Sequence, residues 1–541
     1  MVKALSTTRR SVLVGASAAL IVPNIASARS ASATTVRTSS GDVRGVEAND
    51  VLVFKGIRYG ASTAGDGRFR PPVPAPRERG VFDASGFGDQ APQSRTALAD
   101  AGPMSEDCLR INIWTPRLDR KPRPVMIWFH GGGFEAGSAS QTLYDGANLA
   151  RRGDVVVVTI NHRLNVFGHC HLAAQLGSDY ASSGNVGFLD LVMAMRWVRR
   201  NIAGFGGNPT NITIFGQSGG GRKVSLCYAS PASEGLFQRG IVQSGSHLMV
   251  QTPAQAAALT NRLLERLSIT ENDARKLLSV PVNAIVDAQR EVIGEMGYRF
   301  EPVLDGRVFT QQPFVPSAPR RTQNIPMMVG TTRTELSNQL GLADPRLFDL
   351  PEALLPGAIA RFVGADKASA AIALVRRYRR DATAPEVLFT VATNRAYGLD
   401  STLMAQARAA ANGKGAAKTW LYRLMWRSPA QGGRRITPHS LDLPFVFDNV
   451  HAGEALAGPP TDLTTAMANQ MAETWLAFAR TGDPNNRSIP TWLPYDVEQR
   501  TMMLFDLPPR AVSDPFKDER EFFAQFPTQQ GSAGRYRNAG S

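Results

Sequence analysis

Residues 211–220 read Asn-Ile-Thr-Ile-Phe-Gly-Gln-Ser-Gly-Gly, and this stretch decides how the rest of the chain is read. Asn211 to Phe215 is a short β-branched and apolar run, and Gly216-Gln217-Ser218-Gly219-Gly220 follows it directly as a G-x-S-x-G pattern. The next residues, Gly221 to Tyr228, can form a helix. A serine flanked by glycines between a strand and a helix fits a strained turn that lifts a hydroxyl out of the sheet's carboxyl end, where the helix amides face an anion. Without its strand and helix the same pentapeptide would be an ordinary Gly-rich turn.

Working outward, Val125 to Phe129 (VMIWF) ends in a glycine cluster, and Val155 to Ile160 (VVVVTI) ends in Asn161-His162-Arg163. Continuous apolar runs of this kind suit strands buried on both faces, as in a mostly parallel sheet covered by helices. Between them and Asn211 lies a helical stripe of Leu189, Val192, Met193 and Trp197, closed by Gly204 and Gly206-Gly207. Strand, helix, strand is the unit of an α/β fold. Farther on, about 253–300 reads as helix, Pro326 to Gly330 as strand, about 350–412 as helix, and Trp420 to Met425 as strand. Helix-rich insertions between sheet strands predict a cap over one end of the sheet. There is no biased linker and no internal repeat. Low complexity is confined to the tail after about 528, so one large domain is expected.

A second chemical signal is His130-Gly131-Gly132-Gly133-Phe134, at the end of the first of these strands. Three consecutive glycines cost backbone entropy, and free amides unobstructed by Cβ atoms can make an oxyanion hole. A serine hydroxyl becomes a nucleophile only beside a base that takes its proton, and that base needs a carboxylate to orient it. The chain has seven histidines. In hydrolases built on such a serine turn the order along the chain is Ser, acid, His, which leaves His439, in a loop after the strand Trp420 to Met425, and His451, beyond an apolar strand. The pattern favours His439. For the acid, Glu335 follows the strand ending at Gly330, while Asp305 and Asp344 stay open on pattern alone.

Composition narrows the class. The chain has 541 residues, 43% hydrophobic and 20% charged, which excludes fibrous and wholly disordered readings. Its formal charge is +14, but the basic residues are spread along it without the runs that mark a nucleic-acid arm, so no nucleic-acid partner is expected. Cys108, Cys170 and Cys227 cannot make a disulfide framework and lack zinc-site spacing. Arg9-Arg10 stand before the apolar run Val12 to Val22, and Ala26-Ser27-Ala28 and Ala31-Ser32-Ala33 offer cleavage sites. Residues 1–33 therefore read as a twin-arginine export signal, which implies a periplasmic or extracellular protein, and 34–541 as the working domain. The apolar run falls short of the roughly 20 residues that span a bilayer, and no stable membrane anchor is expected.

The ordered motifs resemble those of the type B carboxylesterase family, the α/β-hydrolases that include cholinesterases and bacterial p-nitrobenzyl esterases. They are Ser105-Glu106-Asp107-Cys108-Leu109, Ile111-Asn112-Ile113-Trp114-Thr115-Pro116, His130 to Phe134, Asn161-His162-Arg163-Leu164, Gly184-Asn185, Ala203 to Pro209, Gly216 to Gly221, and Pro444-Phe445-Val446-Phe447. The resemblance runs from about 35 to 508. It implies an α/β-hydrolase fold with a central, mostly parallel sheet flanked by helices and helical cap insertions. By the same resemblance Ser218 is the nucleophile, Glu335 the acid and His439 the base. Gly132, Gly133 and Gly219 supply the oxyanion-hole amides, and structural ion pairs fall on Arg68 with Glu106 and on Arg163 with Asp190. No metal or organic cofactor is implied.

The departures carry information. The family's usual G-E-S-A-G-G becomes Gly216-Gln217-Ser218-Gly219-Gly220-Gly221. Cys108 lacks its usual disulfide partner, since the expected neighbourhood reads Ala91-Pro92-Gln93-Ser94, and is expected to be a free, buried thiol. Cholinesterases keep a choline-binding Trp in the loop that corresponds to Gln90 to Asp107, and this loop has none. The expected activity is hydrolysis of small-molecule carboxylic esters, with carbamates, amides or polyester fragments as the alternative substrates of the same machinery. A non-catalytic recognition protein on this fold is the more distant alternative.

Overall fold

A computed structural model describes residues 34–95, 102–119, 121–411 and 417–528. The expected export signal and the low-complexity tail lie outside the described residues, as does part of the loop between Gln90 and Asp107. The chain from Ala33 onward forms one unit by its internal contacts.

It opens with five short strands, β1 (Thr35–Thr38), β2 (Gly41–Arg44), β3 (Val46–Ala48), β4 (Val51–Arg58) and β5 (Val81–Asp83). Nine more follow: β6 (Arg110–Thr115), β7 (Arg123–Phe129), β8 (Val156–Ile160), β9 (Gly207–Gln217), β10 (Arg239–Gln243), β11 (Met327–Thr332), β12 (Thr419–Leu424), β13 (Thr501–Phe505) and β14 (Arg510–Ser513). The first, second and fifth make a small separate sheet, and the others form an 11-stranded sheet in the order β14-β13-β12-β11-β10-β9-β7-β8-β6-β4-β3. From β8 through β13 every neighbouring pair is parallel. Antiparallel pairs occur only toward the two edges.

The apolar runs explain this. Along β7, Val125, Ile127 and Phe129 enter one buried cluster with Val156, Val158, Ile212, Ile214 and Val329. The alternate Met126 and Trp128 enter a second with Val157, Phe215, Met328, Trp420 and Trp475. A strand buried on both faces has no polar side, so these segments read as continuous hydrophobic runs rather than alternating ones.

The helix after β8 spans Val186–Asn201, and its buried face is wider than the stripe read from the sequence. Leu191, Ala194, Met195 and Val198 are buried, while Leu189 and Met193 are half-exposed. The segment Leu443–Val446 is a short helix with Pro444 in its first turn, not a strand. Proline's fixed φ and missing N–H suit that position.

The insertions after β10 and β11 leave from the carboxyl ends of those strands. Helices Pro253–Arg266 and Val282–Met296 pack around one apolar cluster that includes Leu259, Leu263 and Val292. Helices Leu355–Val363, Ala365–Tyr378 and Ala384–Thr393 pack around another with Ile359, Val375 and Phe389. Both predicted insertions thus have cores of their own. Among the described residues no helix is long and apolar enough to cross a membrane. Cys108, Cys170 and Cys227 are free and buried, as expected for Cys108, and burial pushes their thiols up.

Candidate active site

The register of the sheet brings the two glycine-rich signals together. Phe129 of β7 pairs with Gly216 of β9, so the loop beginning at His130 and the turn holding Ser218 leave neighbouring strands side by side. Ser218 joins β9 to the helix Gly219–Ala229 with φ 58° and ψ −122°, a conformation that costs a non-glycine residue of order 1–3 kcal/mol. The surrounding backbone enforces it. A Cβ at Gly220 would stand 1.8 Å from the Phe129 carbonyl oxygen. One at Gly219 would stand 2.2 to 2.6 Å from the Gly133 oxygen, nitrogen and Cα. The elbow and the glycine loop are in backbone contact that only glycines allow.

The amides of Gly132, Gly133 and Gly219 donate to no acceptor among the described residues. Buried N–H groups are nearly always paired. Three unpaired ones beside a serine, buried at Gly219 and half-buried at Gly132 and Gly133, fit an oxygen anion that forms only during a reaction.

Glu335 and His439 meet across the ends of β11 and β12. His439 Nδ1 lies 2.5 Å from Glu335 Oε2, and because a carboxylate only accepts, Nδ1 carries the proton. The Thr332 amide donates to Glu335 Oε1 at 2.7 Å, so the fully buried carboxylate is held from both oxygens. His439 Nε2 is left as an acceptor and receives the Gln217 amide at 3.2 Å, while Gln217 Oε1 accepts from the Ser440 hydroxyl at 3.2 Å. Among the described residues the Ser218 hydroxyl makes no hydrogen bond. The Glu-to-Gln departure from the family pattern thus places an amide donor, rather than a second carboxylate, against the imidazole.

The residues left open by pattern are placed elsewhere. Asp305 Oδ1 accepts from the amides of Arg307, Val308 and Phe309, and Asp344 is paired with Arg346 on the surface. His451 is exposed at the start of a single turn. Arg68 grips Glu106 through two bonds of 2.8 and 2.6 Å, and Arg163 grips Asp190 through bonds of 2.9 and 2.6 Å.

Three side chains of the site were not singled out in the sequence. Lys223 is 1% exposed, and its ammonium donates to the His130 carbonyl at 3.0 Å, tying the helix after Ser218 to the start of the glycine loop. Burial pushes its amine down to about 7. A lysine leading into the buried run Val224 to Ala229 is the signal that marks it. Arg222, its neighbour, is half-buried. Tyr397 packs against His439 with the rings tilted by 42° and their centroids 5.2 Å apart, and accepts from Gln339 at 2.7 Å. It sits in a wide helical turn, Asn394–Gly398, inside the cap, where sequence offers no motif.

Around Lys223 four imidazoles are kept neutral. Burial is the main cause, pushing His130 and His169 down to about 3 and His162 and His247 well below their ordinary value. The His130 and His162 rings stack at 4.9 Å.

A parallel sheet with a strained serine elbow at its carboxyl edge, capped by helices from the following strands, is the α/β-hydrolase architecture, and its class is carboxylic ester hydrolase. The sequence pattern of the carboxylesterase family matches residues 32–523, and the chain belongs to that family. It is 32% identical to the para-nitrobenzyl esterase of Bacillus subtilis strain 168 over 504 residues, which covers 90% of this chain and 97% of that protein. It is 33% identical to the fumonisin B1 esterase of Sphingopyxis macrogoltabida, over 84% of this chain and 83% of that one. A carboxylesterase structure from Geobacillus stearothermophilus aligns with a TM-score of 0.78 at 37% identity, covering 91% of this chain and all of its own.

Proposed function

We propose that the chain hydrolyses carboxylic esters through an acyl-enzyme on Ser218. The observation that carries this is the 2.5 Å bond between His439 Nδ1 and Glu335 Oε2, which leaves Nε2 as a base at the strand ends beside the elbow. When an ester enters, Nε2 exchanges the Gln217 amide for the Ser218 hydroxyl and takes its proton as Oγ attacks the carbonyl carbon. Hydrogen bonds to such bases are often long in empty sites and tighten on binding. The negative charge that develops on the carbonyl oxygen is received by the amides of Gly132, Gly133 and Gly219. Glu335 stabilises the imidazolium and fixes its tautomer. His439 then gives its proton to the leaving alkoxide, and a water deprotonated by the same nitrogen releases the acid.

Ser218→Ala and His439→Ala should each lower kcat for p-nitrophenyl butyrate by about 10⁴- to 10⁶-fold. A fluorophosphonate should add its mass to the wild-type peptide containing Ser218 and to none in Ser218→Ala. Near wild-type turnover in folded His439→Ala would reject the assignment of the base.

A further inference from the structure

Among the described residues the guanidinium of Arg222 has no partner. Arg222 lies four residues beyond Ser218 and its amide donates to the Ser218 carbonyl at 3.0 Å, so it rides on the same helical turn as the nucleophile. It is half-buried, yet among the described residues no carboxylate lies within ion-pair distance and no acceptor bonds its five N–H groups. None of its nitrogens is buried without a partner, so they reach solvent and are open to an incoming acceptor. Its charge is felt on the imidazole side of the site, by the hydroxyl of Tyr397, whose ring packs against His439, and by Glu301 and His247.

A second guanidinium borders the same place. Arg299 stands 3.7 Å from where a Cβ on Gly133 would be, against the glycine loop, and is held by Glu135 at 2.9 Å. Among the nearby carboxyls, Glu335 is held by His439 and the Thr332 amide, and Glu301 is 5% exposed. Burial pushes Glu301 up to about 7 although both arginines pull the other way, so near neutral pH it is a weak counter-charge. Arg222 is therefore a cation at the ester site with no carboxylate bonded to it.

We infer that Arg222, assisted by Arg299, is a carboxylate-binding subsite, and that the favoured substrates are esters carrying a carboxylate close to the scissile carbonyl. The inference rests on the reading of Ser218 as nucleophile and adds the substrate class to it. A carboxylate fits a guanidinium through two parallel hydrogen bonds, which a neutral isostere cannot make. It can come from the acid side of the ester, as in a half-ester of a dicarboxylic acid, or from the alcohol side.

The test compares kcat/KM for two pairs on the full chain at pH 7. The acid-side pair is mono-p-nitrophenyl adipate against methyl p-nitrophenyl adipate. The alcohol-side pair is p-acetoxybenzoate against its methyl ester. In at least one pair the charged-to-neutral ratio should fall by about 10-fold or more from wild type to Arg222→Gln, with partial recovery in Arg222→Lys, which keeps the charge and loses the fork. The wild-type ratio should also decline as salt rises from low to physiological strength. The pair that responds identifies the side. Ratios equal in wild type and folded Arg222→Gln, for both pairs, overturn the subsite and show a solvated arginine. Wild-type protein inactive on all four esters would instead reject the hydrolase mechanism itself.

Discussion

At the scale of single residues the site is built from backbone contact as much as from side chains. Gly219 stands where the family usually has alanine, and the structure shows what took the methyl's place: the backbone of Gly133. Restoring the family residue should therefore damage this protein. Gly219→Ala must push away Gly133, a proposed oxyanion donor, and kcat should drop by about 10- to 10³-fold while KM changes little. A rise in KM with kcat unchanged would place the effect in binding instead. Lys223 acts on the same loop from beneath, through its bond to the His130 carbonyl. Lys223→Met keeps the length of the side chain, removes a buried amine whose charging is penalised, and cuts the tie. The expected outcome is a thermal midpoint at pH 7 equal to or above wild type together with a kcat lowered about 10-fold. A fall in stability with kcat intact would make the lysine a packing residue only. Ser218, the glycine loop and, by preference over His451, His439 were singled out by short motifs next to apolar strands, whereas Glu335 was set apart from Asp305 and Asp344 only by the family likeness. Lys223, Arg222 and Tyr397 were not legible, because their roles depend on which elements face them.

At the scale of elements, the sequence marks the buried parallel strands best and the edges worst. β7, β8, β9, β11 and β12 lie within a few residues of their apolar runs, since a strand covered on both faces has no other composition open to it. The N-terminal strands β1 to β5 are three to eight residues long and mix polar with apolar positions, and their pairing depends on partners far along the chain. The segment before His451 misled because a short apolar run is ambiguous between strand and buried helix. Legible from the family likeness, though not from spacing, was the clamp between Arg163, just past β8, and Asp190 on the helix that follows. Arg163 is 1% exposed and Asp190 fully buried. The carboxylate accepts from the Arg163 backbone amide at 3.0 Å as well as from the guanidinium. Asp190→Asn keeps the shape but leaves an uncompensated buried cation, and should lower unfolding free energy by about 3–5 kcal/mol. Urea denaturation followed by tryptophan fluorescence measures it, and a loss below about 1 kcal/mol would mean that water or another carboxylate reaches the arginine.

For the whole molecule, the sign of the buried charge balance sets how the protein responds to acid. His130, His162, His169 and His247 have folded-state values below the ordinary 6.5. The unfolded chain thus binds more protons as pH falls through 6.5, and stability is lost at about 1.4 kcal/mol per pH unit for each imidazole once that window is entered. Asp442 and Glu301 oppose this. Burial raises them to about 6 and about 7, so the folded chain binds the extra proton between those values and the ordinary ones, and acidification favours it. Burial pushes the half-buried His171 down as well, and these imidazoles against the two carboxyls leave a net loss of about 3 to 4 kcal/mol per unit between roughly pH 6 and 4.5. Lys223 works at the other end: its depressed value makes stability rise with pH from about 7 to 10.5. His247 isolates the acid effect. Its ring packs edge-on against Phe134 at 5.6 Å, and neither ring nitrogen has a hydrogen-bond partner in the fold, so phenylalanine can replace it without breaking a bond. His247→Phe should match or exceed wild-type stability at pH 7.5 and lose about 1.4 kcal/mol less per unit below pH 6. Urea midpoints measured from pH 7.5 to 4.5 give both slopes. If the two proteins lose stability in parallel, His247 is already charged or solvated in the fold, and the acid limb must be assigned to the other imidazoles that burial pushes down.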